Sequence, residues 1–212
     1  MKEIFDDLKS AIWKDDRLYA MRQIAQTEQF QLKERARFGE QPNGLKGCQL
    51  FQGKRGKRLK NILYKIDRNT SLKTRIYDYT YFGDSKNRTS TVIEFYLPQW
   101  NFSPALIRPK GNLHKMKSFF GKKPLIFNGL KNFHRKYQIA SPDVTHLVYE
   151  LNEDFLELLA NQQQIWVELN GNFILFYTKH KLIPIPSLMD QYEYVLDLLD
   201  CLLYGHSNEE FV

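Results

Sequence analysis

Two apolar runs, Ile165-Trp166-Val167-Glu168-Leu169 and Asn172-Phe173-Ile174-Leu175-Phe176-Tyr177, stand on either side of Asn170-Gly171. That dipeptide most readily adopts a type I′ turn, whose two central residues both need positive φ. The segment is therefore expected to be an antiparallel hairpin. The same period of two recurs upstream. Residues 59–66 alternate with Ile62, Tyr64 and Ile66 on one side, residues 72–82 form a long aromatic strand, and residues 89–97 put Ile93, Phe95 and Leu97 on one face. The last two runs pair across a polar loop, Gly83 to Arg88.

Helical spacing governs the ends of the chain. Ile4, Phe5, Leu8 and Ile12, then Leu18, Met21, Ile24 and Ala25, mark the first 38 residues as helical. Gly39 to Gly44 form a turn-rich connector. Pro98, Pro104, Pro109 and Pro124 break residues 98–131, leaving a short basic helix over Leu113 to Phe120 and a short strand over Pro124 to Phe127. Ser141-Pro142-Asp143 and Asn152 start helices, and Ser187 to Asp190 resembles a capping box opening a helix that Gly205 stops. The order is not the βα alternation of a parallel sheet, so the expected fold is α+β, an antiparallel sheet with N-terminal and C-terminal helices packed on one face. Residues 1–38 are the helical segment, 39–205 the α+β domain, and 206–212 a frayed tail of one single-domain chain.

With 212 residues, 42% of them hydrophobic, the chain can bury one sizeable core. No apolar run approaches the roughly 20 residues that span a bilayer, and the acidic N-terminus does not read as a signal peptide. A cytoplasmic protein without a transmembrane segment is expected. Cys48 and Cys201 are too few for a disulfide framework, and the five histidines show no ligand spacing. No metal or cofactor is expected.

Charge is distributed unevenly. Residues 1–45 carry 8 basic and 8 acidic side chains, residues 46–136 carry 21 and 4, and residues 137–212 carry 2 and 12. The acidic third could neutralise the basic middle across the surface, or leave it open to polyanions. The densest run holds Lys54, Arg55, Lys57, Arg58 and Lys60 in a turn before a strand. It lacks the P-loop ending, and a strand follows where a phosphate cradle needs a helix, so it is either a solvated turn or an anion-binding one. On residues 72–82, Lys73, Arg75, Tyr77, Tyr79 and Tyr81 share one face. Single-stranded nucleic acid is held by this mixture, with about 1–3 kcal/mol per stacked base, although tyrosines also suit a half-buried sheet. Asp78 and Glu94 are the only carboxylates on the two strands of the central hairpin and could divide acid and base roles, or form ion pairs with Arg75 and Arg88.

Leu50-Phe51-Gln52-Gly53, Asn61-Ile62-Leu63, Tyr77-Asp78-Tyr79-Thr80-Tyr81, Phe133-His134-Arg135-Lys136-Tyr137 and Asp143 together resemble an uncharacterised family of bacterial domains, over about residues 17–204. Members are often membrane-anchored, with transmembrane helices ahead of the domain, from which residues 1–38 depart. The resemblance implies a domain that can work beside a membrane and supplies no catalytic residues. The function expected is a non-enzymatic binding or regulatory module engaging nucleic acid or an acidic membrane surface. The alternatives are a structural or interaction domain that pairs with a protein or with itself, and an enzyme with a site near Asp78 and Glu94.

Overall fold

A computed structural model describes residues 16–83, 85–110, 125–127, 129–162 and 164–205. Its centre is one eight-stranded sheet in which every neighbouring pair is antiparallel, in the order β1-β2-β3-β4-β8-β7-β5-β6. The strands are β1 Gln31–Arg37, β2 Arg55–Ile66, β3 Lys73–Gly83, β4 Lys86–Tyr96, β5 Phe102–Pro109, β6 Tyr137–Ala140, β7 Ile165–Gly171 and β8 Phe173–Thr178. The sheet joins a meander, β1 to β4, to a second half in which β6 lies outside β5 and the chain crosses β5 to reach β7, the two halves meeting where Val92 of β4 lies opposite Tyr177 of β8.

The expected hairpins form. Gly171 turns β7 into β8 with a φ of +58°, but Asn170 is not at positive φ and instead pairs with Phe173, so the turn is Gly171-Asn172 and not the expected type I′ turn on Asn170-Gly171. Strand β3 pairs with β4 without a slip from Lys73↔Tyr96 to Gly83↔Lys86, a tighter connection than the expected Gly83 to Arg88 loop. Three other expectations need correction. The first 38 residues are not all helical: a helix, α1, is described over residues 16–27, but β1 follows it and pairs with β2 from Gln31↔Tyr64 to Arg37↔Arg58. Pairing to a neighbour overrides the weak intrinsic preference of this charged stretch. The basic run is not a turn, since β2 already begins at Arg55. Pro104 does not prevent a strand: it sits inside β5 at the irregularity between Phe102 and Ala105, where no ladder N–H is demanded of it. The helix expected over Leu113 to Phe120 and the tail 206–212 lie outside the described residues. Of the short strand over Pro124 to Phe127, the described part is a bridge from Leu125 to Ile139.

Five helices pack on one face of the sheet: α1, α3 Lys131–Lys136, α4 Val144–Glu150, α5 Glu153–Asn161 and α6 Leu188–Tyr204. Asn152 caps α5 by accepting from Phe155 N, and Asp143, rather than Ser141, caps α4 by accepting from His146 N. Ser187 makes no capping bond. This helical face buries Met21, Phe155, Leu159, Val195 and Leu199 against Leu63, Ile76, Ile93, Phe95, Val167 and Phe176. The opposite face is covered by residues 38–51, which include the short helix α2 Asn43–Lys46. There Leu45, Cys48, Leu50 and Phe51 pack on Tyr77, Tyr79, Val92, Phe173 and Leu175.

Candidate functional site

Strand alternation separates the two carboxylates of the central hairpin. Asp78 lies opposite Thr91 on the helical face, whereas Glu94 lies opposite Arg75 on the face under residues 38–51. They cannot share one reacting group, and each is engaged by a cation. The Arg17 guanidinium donates twice to Asp78, at 2.7 and 2.9 Å, and also to Thr91 Oγ1 and Ile183 O. Asn61 completes this cluster with a 2.9 Å bond to Asp78. It does so from a bulge in β2 with a φ of +52°, a conformation that asparagine tolerates better than most residues.

Glu94 accepts from Arg75 at 2.7 and 2.8 Å and from the Tyr77 hydroxyl at 2.9 Å, and Gln41 of the covering segment accepts from the same guanidinium. Burial works against the Arg75 charge, and the Glu94 carboxylate more than offsets it, holding that guanidinium above its ordinary pKa. Arg75 is thereby closed in an internal ion pair. Farther along the same face, Glu168 accepts from Tyr177 Oη at 2.5 Å and from Leu50 N at 2.8 Å. Burial pushes its carboxyl up to about 7, although both hydrogen bonds pull the other way. Glu168 thus ties the covering segment to β7. Sequence reasoning passed over it because a single Glu inside an apolar strand carries no motif. Its one signal was the interruption of Ile165-Trp166-Val167-Glu168-Leu169.

The tyrosine row is not an open stacking surface. Tyr77 and Tyr79 are 0% exposed and Tyr81 3%. Phe51 meets Tyr79 edge-on at 4.8 Å, Tyr79 stacks on Tyr81, and the Tyr81 hydroxyl meets His180 Nε2 at 2.7 Å. The covering segment occupies the place a base would take. Lys73 lies at the far end of β3, over the Tyr96 ring, away from the basic run.

The remaining basic residues do come together. Because every neighbour is antiparallel, one end of the sheet collects the close of β1, the start of β2, the close of β3, the start of β4, the close of β8 and the close of β5. That end receives Arg35 and Arg37 from β1, Arg55, Lys57, Arg58 and Lys60 from β2, Lys86 and Arg88 from β4, and Lys110 just after β5, whereas Arg108 of β5 is buried over the Trp166 ring. Lys179 and Lys181, the only cations in residues 137–212, are held there too. His180 N donates to Ser90 Oγ, and Thr91 N donates to Lys181 O. Arg35 stands directly opposite Lys60, and Arg37 opposite Arg58, an arrangement that like charges disfavour. Lys54 and Lys57 lie over the Tyr81 and Phe38 rings at 4.9 and 4.6 Å.

Helices α5 and α6 carry most of the acidic third. Asp190, Glu193, Asp197 and Asp200 form one exposed stripe on α6, and Glu153, Asp154 and Glu157 are exposed on α5. Ion pairs among the described residues include Arg17–Asp78, Arg22–Glu34, Arg37–Glu40 and Arg75–Glu94.

At the same end, a cavity of about 310 Å³ lies beside β6, lined by Leu125, Ile126, Phe127, Leu130 and Tyr137 with Lys110, Lys131 and His134 at its polar edge. Among the described residues no three His, Cys, Asp or Glu side chains group as metal ligands, and no helix is long and apolar enough to cross a membrane.

No protein-family model and no curated protein matches the sequence. Among solved structures, the fold is similar to that of the mycobacterial trehalose monomycolate transport factor A, TtfA, with a TM-score of 0.60 over 89% of this chain and 95% of that one. At 12% identity, the likeness is one of fold.

Proposed function

We propose that this chain is a non-enzymatic binding module that engages an anionic partner through the cationic end of its sheet. The observation that carries it is the placement at one end of the sheet of arginines and lysines from β1, β2 and β4 and from the segments that follow β5 and β8. Like-charge pairs such as Arg37 opposite Arg58 oppose folding, and an anion bound between them relieves that repulsion. Catalysis gains no support from Asp78 and Glu94, each held in an ion pair on its own face. The TtfA likeness fits a module of this kind, since a transport factor binds without needing to catalyse.

The test is binding to a labelled single-stranded oligodeoxynucleotide and to acidic lipid vesicles across a salt series. Affinity for at least one should fall steeply with salt, as counterion release requires, and should be lost when Lys54, Arg55, Lys57 and Arg58 are all changed to Glu. Binding indifferent to salt, or surviving that reversal, overturns the proposal.

A further inference from the structure

Resting on that reading, we infer that the anionic partner is the headgroup surface of an acidic lipid bilayer, and that Phe82 enters it. Phe82 is half exposed, at 50%, although it belongs to a strand whose other aromatic side chains are buried. Its register places it opposite Arg55 on β2 and Asn87 on β4. Two residues earlier on the same face, Thr80 stands opposite Arg58, which in turn stands opposite Arg37. The phenyl ring is therefore an apolar point framed by guanidinium groups.

A second exposed apolar side chain shares this end of the sheet. Ile126 is 72% exposed, next to the Leu125 bridge to β6, and lines the cavity whose edge carries Lys110 and Lys131. The strand ends thus present two apolar points set among cations.

This chemistry separates the two polyanions that a basic surface could serve. Nucleic acid gains affinity from a row of rings on which successive bases stack, and the tyrosines that would form that row are buried beneath Phe38 and Phe51, which leaves Phe82 as a single exposed ring on β3. A bilayer interface takes the opposite mixture, with cations at the headgroups and apolar side chains at the acyl boundary. Neither contribution holds a protein on a membrane firmly alone, and the two together do. Phosphate and carboxylate headgroups are satisfied by Arg55 and Arg58 while Phe82 leaves water.

Three probes test this: vesicles of phosphatidylcholine alone, vesicles of phosphatidylcholine with phosphatidylglycerol, and a single-stranded oligodeoxynucleotide. The full chain should bind the phosphatidylglycerol vesicles and not the neutral ones. Phe82→Ala should weaken that binding by about tenfold, the scale expected for withdrawing one phenyl ring from an apolar environment, with oligonucleotide binding unchanged. Phe82→Leu should retain most of it. Ile126→Ala combined with Phe82→Ala should weaken it further. Because both residues are exposed, the variants should melt as the parent does. Salt-dependent binding to the oligonucleotide but not to acidic vesicles overturns the membrane assignment and leaves the anion-binding proposal standing. Vesicle binding indifferent to Phe82→Ala overturns it equally. Binding to neither polyanion overturns both.

Discussion

Glu94 and Glu168 flank the same residue, each standing directly opposite Leu175 from the strand on either side of β8. Two buried carboxylates therefore lie on one face, two strand spacings apart or roughly 10 Å, beneath a single covering segment. Their environments differ. Glu94 has a guanidinium beside it, whereas Glu168 has a phenol and a backbone N–H.

That difference predicts a pH dependence carried by Glu168. Its native pKa of about 7 exceeds the ordinary 4.5, so the folded protein holds this proton more tightly than the unfolded chain does. The stabilising contribution is complete below about pH 4.5 and is lost as pH rises through about 7. The size is about 3 kcal/mol at 1.36 kcal/mol per unit. Urea melts from pH 5 to 8 should show stability falling, and Glu168→Gln should flatten that fall while keeping an acceptor for Leu50 N. A fall unchanged in the Gln variant would count against the assignment.

Removing the partner of a buried charge should be far worse than removing a hydroxyl. Glu94→Ala leaves the Arg75 guanidinium without its carboxylate and should cost about 3–5 kcal/mol. Tyr77→Phe deletes one hydrogen bond to Glu94 and should cost about 1 kcal/mol. Tyr79→Phe should be neutral or stabilising, because the buried Tyr79 hydroxyl has no partner among the described residues. Chemical denaturation of the three variants checks the ranking.

Arg17 and Asp78 should be strongly coupled. Their side chains are 14% and 6% exposed and joined by two hydrogen bonds, and the same guanidinium reaches Thr91 and Ile183. A double-mutant cycle with Arg17→Ala and Asp78→Ala should return a coupling energy of about 2–3 kcal/mol. A value near zero would mean that α1 is held by its apolar side chains alone.

The two thiols should be distinguishable. Cys48 is 2% exposed, and burial, with the nearby carboxylates of Glu168 and Glu94, raises its pKa well above the ordinary value. Burial also raises Cys201, but that residue is only partly covered. A thiol reagent at pH 8 should label one cysteine in the native protein and both in denaturant, with the native label found on Cys201.

How far the sequence disclosed all this depended on whether a signal was local. Asn170-Gly171 announces its hairpin by turn chemistry, and Asn152 announces its helix by capping chemistry, because both act within a few residues. Strand β1 could not be read so, since Gln31 to Arg37 have no strong alternation and are ordered by pairing to β2. Strand β5 was hidden by Pro104, which is harmless at an irregularity that only the partner strand defines. Among site residues, the basic run was visible as composition, but its alignment with Arg35, Arg37 and Lys181 required the sheet order. Lys73 and Arg75 looked equivalent to that run in sequence. One sits at the opposite end of β3, and the other is committed to Glu94.

The joint between β4 and β8 has a consequence for how the protein is made. The first four strands can leave the ribosome as a finished meander, but Val92 waits for Tyr177, and Phe95 for Ile174. Until translation has delivered those partners, the nascent chain carries an unpaired apolar strand edge, the kind that recruits edges of other chains. The exposed edge of β4 thus belongs to the interval of synthesis and is closed in the finished fold by β8.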